Sequence, residues 1–588
     1  MSLRDGVVLA LFQLSALGAL SAQTGDAPAA AAAFDPFHET PQEYNARAQW
    51  FRDAKFGVFI HWNPSSLVGQ EISWCRDKVG REKYDQLYKQ FKGEKFNAGE
   101  WIRLFHEAGI RYAVIVPKHH DGFCMFDTKT SDYNVMHSPF GRDYIKEMAN
   151  ACAKSDVRFC LYYSILDWWN PKYSGAAGAD LTKYKNEVFK PHMRELLTKY
   201  GPVGCIWFDG DWEASWTHAD GREMYGFIRK LQPGTLLDNR IEPMPKNPGP
   251  YCAANGSFYE APDAVGDYQA REMDIGKFYM GKAWDSCLDI SPCGWAWVPP
   301  MTVRSLPEIL NWLIQCIGRD GNMLLGVGPR PDGTIDPASA ARLLEIGDWL
   351  KLNGEAVYGT RGGPYLPGDW GVSTRKGNKV FVFVTHWNGD TCKLPVLPAE
   401  VTSSRLLTGG TGAFVPTGST WTLRVPEAFR RPLVTIAELT LDRDVMGLTA
   451  LEVPEPKPVS KGKPVTVSGE WKGREQELAK AHVNDGDFDT IWAGPENSRD
   501  GWVQIDLGED RTIEAVLLDE GLYQRCEKFE VQAQIAGEWR TLAAGTTIGK
   551  RKRLTFEPAK ARLFRLVIAQ ANEVPTVAEF QLFEKQEN

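Results

Sequence analysis

Between about residues 50 and 360 the chain alternates two kinds of hydrophobic pattern. One is a short, nearly unbroken apolar run: FGVFIHW (56–62), YAVIVPKHH (112–120), RFCLYYS (158–164), GCIWFD (204–209), TLLDNR (235–240), WDSCLDI (284–290) and NMLLGVG (322–328). Runs of this length, bounded by turn residues, read as strands, and their continuity reads as burial on both faces, the condition of a parallel sheet. The other pattern is longer, with apolar residues three and four apart, as in AGEWIRLFHEAGI (98–110) and LPEILNWLIQCIGRDG (306–321), which predicts helices with one buried stripe. Strand and helix in alternation predict β/α units.

The polar residues refine this. His61, the His119 and His120 pair, Asp209 and Arg240 each stand at the C-terminal end of a predicted strand. In a (β/α)₈ barrel that end faces the active site. A doubly wound open sheet gathers ligands there too, but the chain has no Gly-rich phosphate fingerprint. The predicted fold is α/β: a (β/α)₈-type, TIM-like barrel over residues 35–362.

Past Tyr358 the period shortens. GNKVFVFVTHW, SSRLLTGG and TWTLRVP alternate apolar and polar residues between Gly and Pro, predicting a small β-sandwich over residues 363–448. Residues 449–465 are a Pro- and Lys-rich linker, and residues 466–588 are again all β by pattern.

Length supports several domains, since 588 residues exceed one compact core. The net charge of −8, with no basic tract, argues against nucleic acid or an anionic membrane as partner. Aromatics make up 12% of residues, including 21 Trp, a composition compatible with stacking on sugar faces though most Trp serve in cores. Residues 1–22, MSLRDGVVLALFQLSALGALSA, have the early Arg, apolar run and small-residue end of a secretory signal peptide, with no stop-transfer segment after it. The expectation is a secreted or periplasmic protein without membrane insertion. Cysteines number 11, without a disulfide-framework spacing, and Cys160, Cys205 and Cys316 read as small buried thiols.

The stretch GCIWFDGDW (204–212) poses the chemical question, because an apolar strand running into Asp209 either ends in a solvated turn or delivers a carboxylate to a pocket. Asp211 reads as an ordinary loop acid. Two carboxylates on facing strand tips, with His, Trp, Tyr and Arg around them, suit glycoside hydrolysis. Adjacent His119 and His120 could also bind zinc, but on one strand they point to opposite faces, so the expectation is no metal in the catalytic site.

The ordered set FGVFIHW, PKHHDGF, DTKTSDYN, LYYS, IWFDG, WDSC and LLGVGP resembles the α-L-fucosidases of glycoside hydrolase family 29, over about residues 44–360. The resemblance implies an exo-acting, retaining hydrolase of terminal α-L-fucosyl linkages by double displacement, acting on fucosylated oligosaccharides or polysaccharides without an organic cofactor. Carried over position by position, it implies Asp209 as nucleophile and His61, Trp74, His119, His120, Tyr162, Trp207 and Arg240 as substrate-binding residues. Two departures stand out. Where many members have Glu as acid/base, this chain has Asp285 in Trp284-Asp285-Ser286-Cys287, one methylene shorter; Glu260 and Glu272, on the long loop before that strand, are alternatives. Where the family has Glu before Trp74, this chain has Ser73, and Glu71 replaces that carboxylate only if the loop is rearranged. The first departure keeps open a fucose-binding barrel with weak or no hydrolytic activity.

Residues 466–588 resemble a discoidin (F5/8 type C) domain of the kind used as a carbohydrate-binding module, most specifically in W-x-Q-I-D-L-G (502–508). Its NDGDFDT segment (484–490) offers oxygen ligands for a structural calcium, with a metal-free Asx-rich turn the equal alternative. Trp492 and Tyr523 are candidates for an exposed sugar platform, with loop packing as the alternative.

Overall fold

The computed structural model describes residues 34–243, 264–387, 391–417, 420–454, 457–488, 490–521 and 524–584. The signal-like segment 1–22, Glu260 and Tyr523 lie outside the described residues. Among those residues no helix is long and apolar enough to cross a membrane.

Eight parallel strands form the barrel: β1 (Phe56–Ile60), β2 (Tyr112–Ile115), β3 (Arg158–Ser164), β4 (Cys205–Asp209), β5 (Leu236–Leu237), β6 (Tyr268–Glu272), β7 (Ala283–Asp289) and β8 (Asn322–Val327). They pair in the order β5-β4-β3-β2-β1-β8-β7-β6, and the ring closes between β5 and β6 through one parallel bridge, Asp238 to Tyr268. Helices cover the outside. The helix Leu306–Gly318 starts where the Ser305 side chain accepts a hydrogen bond from the Glu308 amide and Pro307 pre-sets the first turn. Its Ile309, Leu310, Leu313, Ile314 and Ile317 recur at helical spacing and are buried on the barrel.

Side-chain alternation on the strands sets the aim of the site. On β4, Cys205 and Trp207 pack in the barrel interior with Phe59, Tyr162 and Leu324, while Ile206 and Phe208 join the core beneath the helices. Burying Ile206 and Phe208 contributes about 1.5–3 kcal/mol each. A one-residue slip would forfeit both and send Asp209 outward, so the apolar run fixes the direction of its terminal carboxylate.

Strand β6, YQARE, has no apolar run, and its sequence reads as part of the loop before β7. It is recognisable only by alternation: Tyr268 and Ala270 pack inward, and Glu272 follows on the same face.

Beyond the barrel, a five-stranded sheet spanning residues 361–441 stands with a three-stranded one, Thr391–Pro395, Thr420–Arg424 and Ala413–Thr417, around a shared apolar core. The C-terminal module is built on two long antiparallel strands, Gly501–Asp519 and Lys552–Ala571, with a core of its own. Trp492 belongs to that core, fully buried with its indole N–H donating to the Gly469 carbonyl at 3.0 Å, which removes it as an exposed platform. The ten described cysteines are free thiols, all buried except Cys293.

Candidate active site

A cavity of about 240 Å³ opens at the C-terminal end of the barrel, lined by His61, Glu71, Trp74, His119, His120, Tyr162, Trp207, Asp209, Trp212, Glu272, Cys287 and Trp295, among others. Asp209 ends β4. The next residue, Gly210, has φ of 98°, and a Cβ there would lie 1.8 Å from Leu166 Cδ1, so only glycine allows the chain to turn away directly behind the carboxylate.

Asp209 Oδ2 accepts a hydrogen bond from the Tyr162 hydroxyl at 2.8 Å, and Oδ1 accepts from Arg240 Nη1 at 3.1 Å. Burial pushes its carboxyl above the usual range, against the opposing pull of Arg240 and Tyr162. The other end of the same guanidinium, Nη2, is 3.0 Å from Glu272 Oε2. Glu272 is likewise pushed up, by burial first, with Arg240 opposing and the charge of Asp209 adding to the rise. Arg240 lies over the Trp207 indole, 4.4 Å from its centroid. Asp211 is buried rather than a solvated loop acid; one of its oxygens has no hydrogen-bond partner, and burial raises it to about 7.

The three histidines converge. His119 Nδ1 meets Ser73 Oγ at 2.6 Å, and its ring stacks on Tyr162 with centroids 5.2 Å apart. His120 Nδ1 meets Ser164 Oγ at 2.7 Å, and its Nε2 lies 3.5 Å from Asp209. Burial holds all three well below the ordinary imidazole value, His61 at about 3, so each is neutral with both a donor and an acceptor nitrogen. The expectation that His119 and His120 point to opposite faces fails, because β2 ends at Ile115 and both residues follow it in a turn. With Asp209 they present ligand atoms within 4.8 Å of one another. Both carboxylate oxygens of Asp209 already accept hydrogen bonds, one from a cationic guanidinium, which disfavours a further cation there.

Both departures resolve in the geometry. Asp285 does not reach the cavity. Register pairs it with Ala270 and Asn322, whereas Glu272 pairs with Cys287, two residues nearer the mouth, or about 6–7 Å along the strand. Asp285 is sealed beneath that floor with 0% exposure, 3.4 Å from the Tyr112 hydroxyl, and burial raises it to about 8. Glu272 is the carboxyl that faces Asp209. Glu71 does reach the cavity: its carboxylate accepts from the amides of Ile72 at 2.8 Å and of Trp295 and Ala296 at 3.2 and 3.3 Å. A Cβ at Gly294 would stand 1.8 Å from Glu71 Oε2, so glycine makes that approach possible. Trp212, Cys287 and Trp295 also line the cavity and were not anticipated; Trp295 lies on a loop with no sequence pattern to mark it.

In the C-terminal module, Glu579 is buried with Oε2 unpartnered and Oε1 accepting from the Gly486 amide at 2.5 Å. Burial, with Asp485 adding to the effect, raises its carboxyl to about 8. An orphaned carboxylate oxygen beside a second acid fits an oxygen-liganded cation such as calcium.

Comparison with known families matches residues 23–355 to the alpha-L-fucosidase family and residues 464–580 to the F5/8 type C domain. The tissue alpha-L-fucosidase of Homo sapiens is 29% identical over 375 residues, covering 58% of this chain and 75% of that protein. Alpha-L-fucosidase isoenzyme 1 from Paenibacillus thiaminolyticus aligns with a TM-score of 0.61 and 28% identity over 68% of this chain and 99% of that one. A Bacteroides thetaiotaomicron alpha-L-fucosidase, trapped as a covalent intermediate with 2-fluoro-fucosyl fluoride in a mutant form, aligns with a TM-score of 0.60 and 25% identity over 67% and 96% of the two chains.

Proposed function

This chain belongs to the alpha-L-fucosidase family of glycoside hydrolases, and from that premise we propose that it is an exo-acting enzyme releasing terminal α-L-fucose from glycans with retention of configuration. The observation that carries the mechanism is the pairing of Asp209 and Glu272 on one guanidinium inside the cavity.

Asp209, ionised between Arg240 and Tyr162, attacks the anomeric carbon. Glu272, whose carboxyl burial pushes above its ordinary value, gives its proton to the departing glycosidic oxygen. The product is a fucosyl ester of Asp209. Glu272, now a carboxylate, takes a proton from water as that water attacks the same carbon, restoring Asp209 and leaving the configuration unchanged. The neutral His61, His119 and His120 bind the sugar hydroxyls. Protein carboxylates carry both steps, so no organic cofactor is invoked.

In the C-terminal F5/8 type C domain, Asp485 and Glu579 would hold a structural calcium whose contribution is stability rather than chemistry. That domain would keep the enzyme near fucosylated oligosaccharides or polysaccharides, in a secreted or periplasmic setting.

The geometry argues against a merely fucose-binding barrel, which rested on Asp285 as a short acid; Glu272 supplies the group instead. A metal-dependent hydrolase is the second reading, because His119, His120 and Asp209 present ligand atoms within 4.8 Å of one another; the Arg240 and Tyr162 hydrogen bonds to Asp209 oppose it, and activity that survives exhaustive chelation disposes of it. The test of the main reading is fucose release from a panel of fucosylated oligosaccharides with Asp209→Ala as control. Release abolished by the substitution supports it, and wild-type inactivity on every member overturns it.

A further inference from the structure

Two of the residues lining the cavity are large, apolar and exposed: Trp74 at 48% and Trp212 at 36%. Their rings stack on each other with centroids 6.2 Å apart and planes 30° from parallel. Trp168 packs edge-on against Trp74 at 5.2 Å, and Trp212 meets His120 edge-on at 5.5 Å. These indoles come from three separate segments, which follow β1, β3 and β4. The adjacent Trp169 is also exposed, at 40%, and stacks on Tyr133 at 4.2 Å.

Exposed indoles converging from three loops leave apolar surface in water, and clustering of this kind at a pocket marks a binding surface. Their mutual stacking fixes the rings in advance, so little rotamer freedom is lost when a ligand arrives. Tyr162 and Trp207 are buried at the inner end of the cavity, with the partly exposed Asp209 beside them, and the exposed pair stands at its mouth. Whatever is attached to a sugar bound inside therefore leaves past Trp74 and Trp212.

Resting on the fucosidase reading above, we propose that Trp212, backed by Trp74 and Trp168, is a stacking platform for the neutral pyranosyl residue that bears the fucose. A platform at the mouth engages only the residue that bears the fucose, so the favoured substrates are oligosaccharides rather than simple fucosides. A pyranose presents a flat face of C–H bonds that an indole face matches, and such contact is worth about tenfold in affinity.

The test compares wild type, Trp212→Ala and Trp212→Phe on methyl α-L-fucoside and on whichever of 2′-fucosyllactose, 3-fucosyllactose and 6-fucosyl-N-acetylglucosamine the wild type turns over fastest. The proposal expects wild type to prefer the oligosaccharide. It expects Trp212→Ala to lower that preference about tenfold, mainly through KM, and Trp212→Phe to retain most of it. Equal losses on both substrates, no loss on either, or no wild-type preference overturns the platform while leaving the fucosidase reading intact. Absence of fucose release by wild type even from 4-nitrophenyl α-L-fucoside overturns both.

Discussion

Asp209 and Glu272, on strands separated by β5, are held by the two terminal nitrogens of one guanidinium, Arg240, at 3.1 and 3.0 Å. A single rigid fork sets how far apart the two carboxyls stand and lowers the cost of ionising either one in a buried site. Burial wins for both, leaving each above its ordinary pKa. The two carboxyls are therefore coupled, and the pair titrates as a unit.

Activity should separate the two candidate acids. Glu272→Gln is expected to lower kcat/KM on natural fucosides by about 10²–10⁴-fold. The loss in the first step is smaller on an aryl fucoside with a good leaving group, and azide then speeds turnover. Asp285→Asn, changed beneath the floor, should stay within about tenfold of wild type. Steady-state kinetics on both substrate types checks this, and the reverse ranking would return the acid role to Asp285.

The same pair predicts a bell-shaped pH profile. Activity needs Asp209 ionised, so it falls as pH drops through a value above that of a free aspartate. It needs Glu272 protonated, so it falls again as pH rises through a value above that of a free glutamate. Glu272→Gln should flatten the alkaline limb of kcat/KM for an aryl fucoside, and an unchanged limb would contradict the assignment.

Stability should report on Asp285 separately. Its pKa rises from 3.8 to about 8 on folding, so between those values the native state holds a proton that the unfolded chain has released. The contribution is fully present below pH 3.8 and is lost as pH rises through 8. Asp285→Asn removes the titration, so Tm of the variant minus Tm of wild type should grow by a few degrees from pH 5 to 8. Calorimetry across that range checks it; a constant difference would mean that the carboxyl is not held neutral.

Calcium should stabilise the C-terminal module. Binding at Asp485 and Glu579 displaces the Glu579 proton, so the stabilisation increases with pH toward 8. At about 100 times its Kd the ion adds about 2.7 kcal/mol. The thermal transition of the full chain with calcium or chelator, in wild type and Glu579→Gln, measures it. Equal shifts in both proteins would place any bound ion elsewhere.

The apolar runs made most of the barrel strands legible, because strands covered on both faces need little else to be recognised. Asp209 was legible for the same reason: Ile206 and Phe208 fix the face on which it lies. YQARE escaped because a barrel strand beside the site carries polar residues on one face and long amphipathic ones on the other, leaving only alternation as a signal. Asp285 was misplaced because its sequence neighbours say nothing of height in the barrel, which is set by the register of β7 against β6 and β8. His119 and His120 close an apolar run that reads as strand, whereas a turn brings both rings into one cavity. The rim tryptophans come from loops whose convergence no local pattern encodes.

Everything proposed for the site requires the Asp209 carboxylate to bond to the anomeric carbon. Incubating the Glu272→Gln variant with 2-fluoro-fucosyl fluoride, digesting it and sequencing the labelled peptide by mass spectrometry tests it directly. The expected product carries one fluorofucosyl group, esterified to Asp209. A label on any other side chain, or turnover with inversion and no label, would contradict it.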